Sequence, residues 1–206
     1  MTRHIYIVDD DESVRASTHS LLSRIDGLAV RSYRSGDAFL EAVPELDPGV
    51  VLLDMHMPGA TGLDVLRATN KGDDTRFVSI VITGQGDTHL AVESMKAGAV
   101  DFIEKPFDHR ELLSIIDSSY ERLEQQTQAV ERQRDARERV ASLSPRERDV
   151  LDGLIEGRAN KVIAIEHGIS PRTIEIYRAN LMTKLNATTL SDVLRIAFQA
   201  GIVGEV

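Results

Sequence analysis

Hydrophobic and polar positions in the first 124 residues follow two alternating periodicities. Short apolar runs rich in β-branched residues predict five strands: His4–Val8, Leu28–Tyr33, Val50–Leu53, Val78–Thr83 and Val100–Ile103. Between these runs, apolar residues recur every three or four positions, which is the spacing of a helix with one buried face. Strands that alternate with helices through short connections predict an α/β domain, with a five-stranded, doubly wound parallel sheet covered by helices on both faces.

The helical pattern that begins near Glu111 continues through residues 125–142, a stretch rich in Gln, Arg and Glu that contains no Gly or Pro. Positions 116, 120, 123, 127 and 130 have coiled-coil spacing and hold Ile, Tyr, Leu, Thr and Val, but the same seam then reaches Arg134 and Arg137. Two interpretations stay open, a dimeric coiled coil and a solvated linker that extends the preceding helix. The arginines in the seam favour the helical linker.

Residues 143–206 carry helix signals throughout. Ser144-Pro145-Arg146-Glu147 is a capping box with proline at the first helical position. Further helices are predicted from about Asn160 to His167, from Ser170 to Leu185 and from about Leu190 to Ala200. Four short helices predict a small all-α domain, and two helices joined by a glycine-containing turn have the form of a helix-turn-helix that docks on DNA.

The three segments, residues 1–124, 125–142 and 143–206, also differ in their charge. Residues 1–124 contain 12 Lys/Arg and 22 Asp/Glu, residues 125–142 contain 4 and 3, and residues 143–206 contain 8 and 8. The first segment therefore carries all of the excess negative charge, and the net charge of the chain is −9. A neutral third segment with local basic residues can still approach a polyanion. We predict two domains with different roles, residues 1–124 and residues 143–206, joined by the helical linker 125–142.

Composition excludes several classes of site and location. The chain has no cysteine, so disulfides, thiolate zinc sites and thiol nucleophiles are excluded. Its N-terminal residues form no apolar signal-peptide segment, and no apolar run approaches the ~20 residues of a membrane helix. We therefore expect a soluble, cytoplasmic protein without a membrane partner.

Polar residues stand where four of the predicted strands end. Asp9-Asp10-Asp11 follows the first strand, Asp54 the third, Thr83 closes the fourth, and Lys105 follows the fifth. In an open parallel sheet, ligands bind outside the carboxyl ends of the strands. If the first and third strands are neighbours, the three carboxylates converge and need neutralisation, which a hard divalent cation provides. With a lysine and a hydroxyl beside them, the pattern predicts Mg²⁺-assisted phosphoryl chemistry.

A plainer interpretation treats Asp9–Asp11 as helix-capping and first-turn acids, which helix N-termini favour. That interpretation accounts for the first segment alone. It leaves the ordered set of Asp54, Thr83 and Lys105 unexplained, so we favour the phosphoryl site.

Four segments at these strand ends match a known pattern: Ile7–Asp11, Leu52–Gly59, Val81–Gly84 and Ala97–Phe107. They resemble the receiver domain of bacterial two-component response regulators, which has a flavodoxin-like fold. The resemblance implies that Asp54 accepts a phosphoryl group from a sensor histidine kinase as an acyl phosphate. It also implies a site for Mg²⁺ or Mn²⁺ formed by Asp9, Asp10, Asp54 and the backbone carbonyl of His56, with Asp10 the closer match to the direct ligand.

The resemblance assigns further roles to the strand ends. Thr83 and Phe102 match the coupled switch pair of receivers, and Lys105 matches the phosphate-contacting lysine. Two more residues are singled out by position, since His56 and Gln85 each lie two residues beyond a site residue. Their loops are expected over the open side of the phosphoryl group, where hydrolysis needs a water in line with the P–O bond. We predict that His56 and Gln85 set the lifetime of the phosphorylated state.

Residues 143–203 match a second pattern, carried by Leu143–Leu151, Asn160–Ala164, Ile169–Glu175 and Met182–Leu185. These segments resemble the C-terminal DNA-binding domain of LuxR/FixJ-type regulators. Together the two resemblances imply a FixJ-like response regulator. Phosphorylation of such a protein is expected to promote dimerisation and sequence-specific binding to double-stranded promoter DNA, with RNA polymerase as a further partner.

Side chains of the third helix in this domain divide into two sides. The core side is predicted to hold Ile174, Leu181 and Leu185. The outer side is predicted to hold Arg172, Glu175, Ile176 and Ala179. Glu175 can accept a hydrogen bond from cytosine N4–H, and Ile176 and Ala179 can contact thymine methyl groups. Residues suited to phosphate oxygens, which position the protein without reading sequence, are Asn160, Lys161, Thr173, Arg178 and Lys184.

Two other functions use parts of the same pattern. An aspartyl-phosphate phosphohydrolase also clusters carboxylates around Mg²⁺, and Asp9 and Asp11 have its two-residue spacing, but Ser13 stands where that pattern has Thr or Val. A module that contacts only protein would use the last four helices as an adaptor. We favour the transcription regulator over both, with no enzymatic activity beyond the receiver's own phosphoryl transfer and autodephosphorylation.

Overall fold

The computed structural model describes residues 2–70, 76–84 and 88–202, which fall into two units, Met1–Thr127 and Gln128–Val206. The strands of the first unit are β1 (Arg3–Val8), β2 (Leu28–Tyr33), β3 (Gly49–Asp54), β4 (Phe77–Thr83) and β5 (Asp101–Glu104). Its helices are α1 (Glu12–Leu22), α2 (Gly36–Ala42), α3 (Gly62–Thr69), α4 (Thr88–Lys96) and the start of α5 (His109–Ala141). A short 3₁₀ turn, Val43–Glu45, follows α2.

Within the described residues, the five strands form one parallel sheet in the order β2-β1-β3-β4-β5. β3 and β4 lie inside the sheet and are buried along their whole length, which explains why their sequences read as unbroken apolar runs. The order makes β1 and β3 neighbours, as the predicted acidic site requires. The predicted α/β class and the doubly wound sheet are confirmed.

Alternate residues of each strand serve the two faces of the sheet. Ile5 and Ile7 of β1 join the core under α1 and α5, whereas Tyr6 and Val8 join the core under α2 and α3. The side chains that α5 contributes to the first core are Leu112, Ile116, Tyr120 and Leu123. Burial of each Leu and Ile side chain among them stabilises the fold by about 1.5–3 kcal/mol.

The burial of α5 side chains bears on both interpretations of the linker. The first three positions of the heptad-like seam, Ile116, Tyr120 and Leu123, are buried in the receiver's own core and are unavailable to a partner helix. The later part of α5 also differs from the predicted solvated linker, because Ala136 and Val140 are buried in the core of the second unit. These residues lie one helical turn apart, so they share a face despite the arginines around them.

The second unit contains the end of α5 and α6 (Pro145–Ile155), α7 (Asn160–Glu166), α8 (Pro171–Leu185) and α9 (Leu190–Gln199). Hydroxyl side chains cap the starts of three of these helices. Ser144 and Glu147 form the predicted capping box, Ser170 accepts from the backbone N–H of Thr173, and Thr189 caps α9. The predicted four-helix arrangement is confirmed. Among the described residues, no helix combines the length and the apolar character needed to cross a membrane.

Candidate functional site

Asp9 and Asp54 meet because of strand order, not because of closeness in sequence. β1 and β3 run parallel with Val8 paired to Leu53, so both acids emerge at the same edge of the sheet. Asp9 is 1% exposed and Asp54 is 6% exposed. Two buried carboxylates side by side cost free energy unless a cation neutralises them.

Lys105 supplies that cation from the end of β5. Its Nζ donates hydrogen bonds to Asp54 Oδ1 at 2.6 Å and to Asp9 Oδ2 at 2.9 Å. Burial alone would lower the pKa of Lys105, but the hydrogen bonds to Asp54 and Asp9 outweigh burial and raise that pKa. Burial raises the pKa of the Asp9 carboxyl in spite of its hydrogen bond from Lys105. One ammonium group therefore does not fully offset the cost of burying two carboxylates.

The chemistry of the donor set suits a hard cation. The predicted donor atoms are the carboxylate oxygens of Asp9, Asp10 and Asp54 and the carbonyl oxygen of His56, the ligand type that Mg²⁺ and Mn²⁺ prefer. Asp9 and Asp54 share the Lys105 ammonium, whereas Asp10 is exposed after β1. In the part of the chain that the structure describes, no three His, Cys, Asp or Glu side chains are grouped as a metal site. The Lys105 ammonium lies between the Asp9 and Asp54 carboxylates, and the convergence of all three carboxylates on a cation stays a prediction.

The predicted switch residues lie on neighbouring strands and differ in exposure. Thr83 is buried at the end of β4, one residue beyond the register pair of Asp54 and Ile82, and its Oγ1 lies 3.4 Å from the carbonyl oxygen of Gly84. Phe102 of β5 is 41% exposed. Its ring lines an open apolar face together with side chains of α4, namely Ala91, Val92 and Met95.

Of the two residues predicted to set the lifetime of the phosphorylated state, the structure describes only His56. The backbone N–H of His56 donates to Asp54 Oδ2 at 2.8 Å, and the residue is exposed beside the site. Gln85 lies outside the described residues, so its role stays a prediction.

The outer side of α8 presents the predicted base-reading residues. Glu175, Ile176 and Ala179 are exposed, and Ile176 is 52% exposed. The predicted core side is buried and consists of Ile174, Leu181 and Leu185. Arg172 Nη1 lies 3.0 Å from Glu175 Oε2, but an exposed pair of this kind contributes little and can open when DNA approaches.

The predicted phosphate contacts lie around both helices of the helix-turn-helix. Lys161 is exposed in the first turn of α7, and Arg178 donates to Asn160 Oδ1 at 3.2 Å, which ties α8 to the start of α7. The Thr173 hydroxyl lies 2.9 Å from Ser170 Oγ at the start of α8.

Lys184 differs from the other predicted phosphate contacts. Its Nζ donates to Glu147 Oε2 at 2.7 Å and to the carbonyl oxygen of Ser142 at 3.3 Å. Glu147 is buried and completes the capping box of α6. Lys184 therefore has a structural role inside the domain, and its contact with phosphate stays a prediction.

Comparison with known proteins covers both units. Residues 5–117 match the response regulator receiver domain, and residues 141–197 match the luxR family of bacterial regulatory proteins. The chain is 46% identical over 202 residues to the transcriptional regulatory protein FixJ of Bradyrhizobium diazoefficiens, covering 98% of each chain. This chain belongs to the FixJ-type response regulators.

Solved structures of response regulators have the same fold. The crystal structure of full-length FixJ from B. japonicum is 45% identical, covers 99% of this chain and 100% of its own, and gives a TM-score of 0.58. The low-resolution structure of the response regulator StyR is 34% identical, covers 97% and 100%, and gives a TM-score of 0.81. The flavodoxin-like receiver and the helical C-terminal domain are thus confirmed for this response regulator.

The family also bears on the two alternative functions. FixJ-type response regulators are transcription regulators and not classical enzymes, so the phosphohydrolase interpretation is wrong. The luxR-family match covers the last four helices and favours DNA over protein as their ligand.

Sequence reasoning missed how the loop after β1 of this response regulator is held. The N-cap interpretation is right for Asp11, whose Oδ1 accepts from the backbone N–H of Ser13 and Val14, and these hydrogen bonds lower its pKa. The backbone N–H of Asp11 also donates to Asp9 Oδ1 at 2.8 Å. The missed residue is Arg15, which binds backbone carbonyls of the acidic run. One signal was available, because an arginine in the first turns of a helix opposes the helix dipole.

Proposed function

We propose that Asp54 is the phosphoacceptor and that a sensor histidine kinase is the donor. The observation that carries this proposal is the pair of hydrogen bonds that orient the carboxylate, from Lys105 to Oδ1 and from the His56 amide to Oδ2. A carboxylate oxygen attacks the phosphorus of a phosphohistidine, and an O–P bond forms as the N–P bond breaks. The histidine, whose other ring nitrogen carries a proton, leaves as neutral imidazole. Water later attacks the acyl phosphate and returns the carboxylate with inorganic phosphate.

Asp9, Asp10, Asp54 and the carbonyl of His56 would hold Mg²⁺ or Mn²⁺ during the transfer. The all-oxygen donor set supports this assignment, and so does the pKa of Asp9, which burial raises even beside Lys105. When bound, the divalent cation neutralises charge on the phosphoryl oxygens. Asp10→Ala should weaken Mg²⁺ binding and slow phosphorylation, whereas Asp11→Ala should affect mainly the cap of α1. A larger loss for the Asp11 variant would reverse this ranking of the ligands.

The proposed conformational switch begins at the buried hydroxyl of Thr83. The Thr83 contact with Gly84 is long, at 3.4 Å, so little free energy is lost when the hydroxyl turns to a phosphoryl oxygen. Phe102 on the next strand then turns inward and reshapes the apolar face that it shares with α4. This face pairs with a second copy of the chain when Asp54 is phosphorylated. The coupling is allosteric because dimer affinity differs between the two phosphorylation states.

The helical unit offers a second surface for a paired copy. A segment with 8 basic and 8 acidic residues gives weak non-specific attraction to DNA, so two copies on paired half-sites are needed for tight binding. Leu190, Leu194 and Phe198 of α9 are spaced four residues apart and are 40%, 38% and 73% exposed. Because a two-fold pair brings the same patch of both subunits together, this stripe suits self-association on a palindromic site.

The proposed output is sequence-specific binding to promoter DNA in the cytoplasm, where the kinase and RNA polymerase also act. The test compares the full chain with and without acetyl phosphate. Sedimentation should show a dimer only with the donor, and genomic DNA captured by the phosphorylated chain should share a two-half-site sequence. A monomer in both states would contradict the proposed coupling, and captured fragments without a shared sequence would contradict specific reading.

A further inference from the structure

Arg15 of α1 reaches back to the loop that carries the acidic run. Its Nη1 donates to the carbonyl oxygen of Asp9 at 2.8 Å and lies 3.3 Å from the carbonyl oxygen of Asp10. The backbone N–H of Arg15 meanwhile makes the first hydrogen bond of the helix, to the carbonyl oxygen of Asp11 at 2.9 Å. One residue therefore contacts the carbonyl groups of all three aspartates.

The position of Arg15 is unfavourable for the helix itself. α1 begins at Glu12 after its N-cap Asp11, so Arg15 lies at the positive end of the helix dipole, where a cation lowers stability. Helical side chains tilt toward the N-terminus, and this tilt directs the guanidinium to the loop. Because Arg15 does not stabilise the helix dipole, we look for its role in its contacts with the loop.

The three carboxylates of the loop differ in their hydrogen bonds. Asp9 is occupied on both oxygens, by Lys105 and by the backbone N–H of Asp11. Asp11 is occupied as the helix cap. Among the described residues, no hydrogen bond or ion pair engages the exposed carboxylate of Asp10. The carbonyl groups of Asp9 and Asp10 are therefore fixed by Arg15, while the Asp10 carboxylate stays available to a cation.

We propose that Arg15 is a positioning residue for divalent cation binding. It fixes the main chain of Asp9 and Asp10 so that the Asp10 carboxylate is presented to the cation. The inference rests on the proposed metal site and adds a residue that does not itself touch the metal. The contacts that the guanidinium makes through Nη1 go to main-chain carbonyl oxygens and not to a carboxylate, so they hold the main chain of the loop.

Geometry and charge predict opposite results when Arg15 is replaced. If Arg15 acted only through its charge, its removal would relieve repulsion and tighten the binding of Mg²⁺. If it positions the loop, its removal loosens Asp10 and weakens binding, because residues that orient metal ligands typically contribute about tenfold or more to metal affinity.

The experiment is calorimetric titration of the full chain with Mg²⁺. The variants are Arg15→Ala, Arg15→Lys and, as a matched control, Arg24→Ala, which alters an exposed arginine just beyond the same helix. We expect the dissociation constant to rise about tenfold in Arg15→Ala, to recover in part in Arg15→Lys, which keeps one donor, and to stay at the parent value in Arg24→Ala.

A second readout separates positioning from general damage to the fold. The rate of phosphorylation by acetyl phosphate, measured against Mg²⁺ concentration, should show a raised half-saturation point in Arg15→Ala and a maximal rate close to that of the parent. An unchanged or lower dissociation constant in Arg15→Ala would overturn the proposal, as would a loss of maximal rate with an unchanged half-saturation point. A parent that binds Mg²⁺ but is never phosphorylated would contradict the proposed function, while the calorimetric comparison would still decide the role of Arg15.

Discussion

Glu147 and Lys184 form an ion pair in which the carboxylate is buried and the ammonium is partly exposed, with Oε2 and Nζ 2.7 Å apart. The same carboxylate oxygen accepts from the backbone N–H of Ser144 at 2.8 Å, so the C-terminal end of α8 holds the start of α6. Lys184→Met should lower the free energy of unfolding by about 1–3 kcal/mol, because a buried charge loses its partner. Urea denaturation measures this effect.

The control for Lys184 is Lys161→Met, since Lys161 is exposed in α7. That variant should unfold like the parent and should instead reduce the salt dependence of DNA binding. If Lys184→Met leaves stability unchanged and only reduces the salt dependence, then Lys184 is a phosphate contact and the ion pair has no structural role.

The same pair predicts how stability depends on pH. Hydrogen bonds from Lys184 and from the Ser144 backbone hold the pKa of Glu147 below its usual value of 4.5. Because the folded pKa is the lower one, the contribution to stability is complete above the unfolded value and is lost as the pH falls through the folded value. The difference in unfolding free energy between the parent and Glu147→Gln should therefore shrink from pH 7 toward acid. A difference that is constant with pH would contradict this origin.

The fold could be predicted from the sequence because each part of it has a local signature. Strands buried on both faces read as apolar runs, and the capping box at Ser144 marks the start of α6. The edge at which Asp9 and Asp54 meet followed from one rule about parallel sheets. These features depend on residues close in the chain or on topology alone.

The contacts that could not be predicted join residues far apart in the chain. Lys105 was expected as a phosphate contact, but its position between Asp9 and Asp54 depends on how three strand ends pack. Lys184 reads as a surface lysine until the start of α6 is placed beside it. Ala136 and Val140 lie in a polar stretch, and their burial depends on the helices that pack over them.

If α8 reads bases, substitutions on its outer side should change the preferred DNA sequence and should not weaken binding to all sequences equally. Glu175→Ala and Ile176→Ala should each cost about 1–3 kcal/mol on the preferred sequence and relax the preference at one position. Arg178→Ala should weaken binding to every sequence to a similar extent. Binding to a library of randomised sites measures both effects. If Glu175→Ala weakens all sequences equally, Glu175 does not read a base.

The lifetime of the phosphorylated state should depend on the side chains of His56 and Gln85. Hydrolysis needs a water in line with the P–O bond, and a polar side chain beside Asp54 can hold that water while a bulky apolar one excludes it. His56→Asn and Gln85→Leu should change the decay rate several-fold while phosphorylation by the kinase changes little. The measurement is loss of phosphorylated protein after removal of the donor. Equal half-lives of the phosphorylated state in the parent and both variants would contradict this role of His56 and Gln85.

Phosphorylation of Asp54 is the central claim, and mass spectrometry of the intact chain tests it most directly. The parent, Asp54→Asn and the control Asp47→Asn are incubated with acetyl phosphate and Mg²⁺, and peptide mapping locates the modification. The parent and the control should each gain the mass of one phosphoryl group at Asp54, whereas Asp54→Asn, whose amide is not a nucleophile here, should gain none. Labelling of Asp54→Asn at the level of the parent would contradict the account.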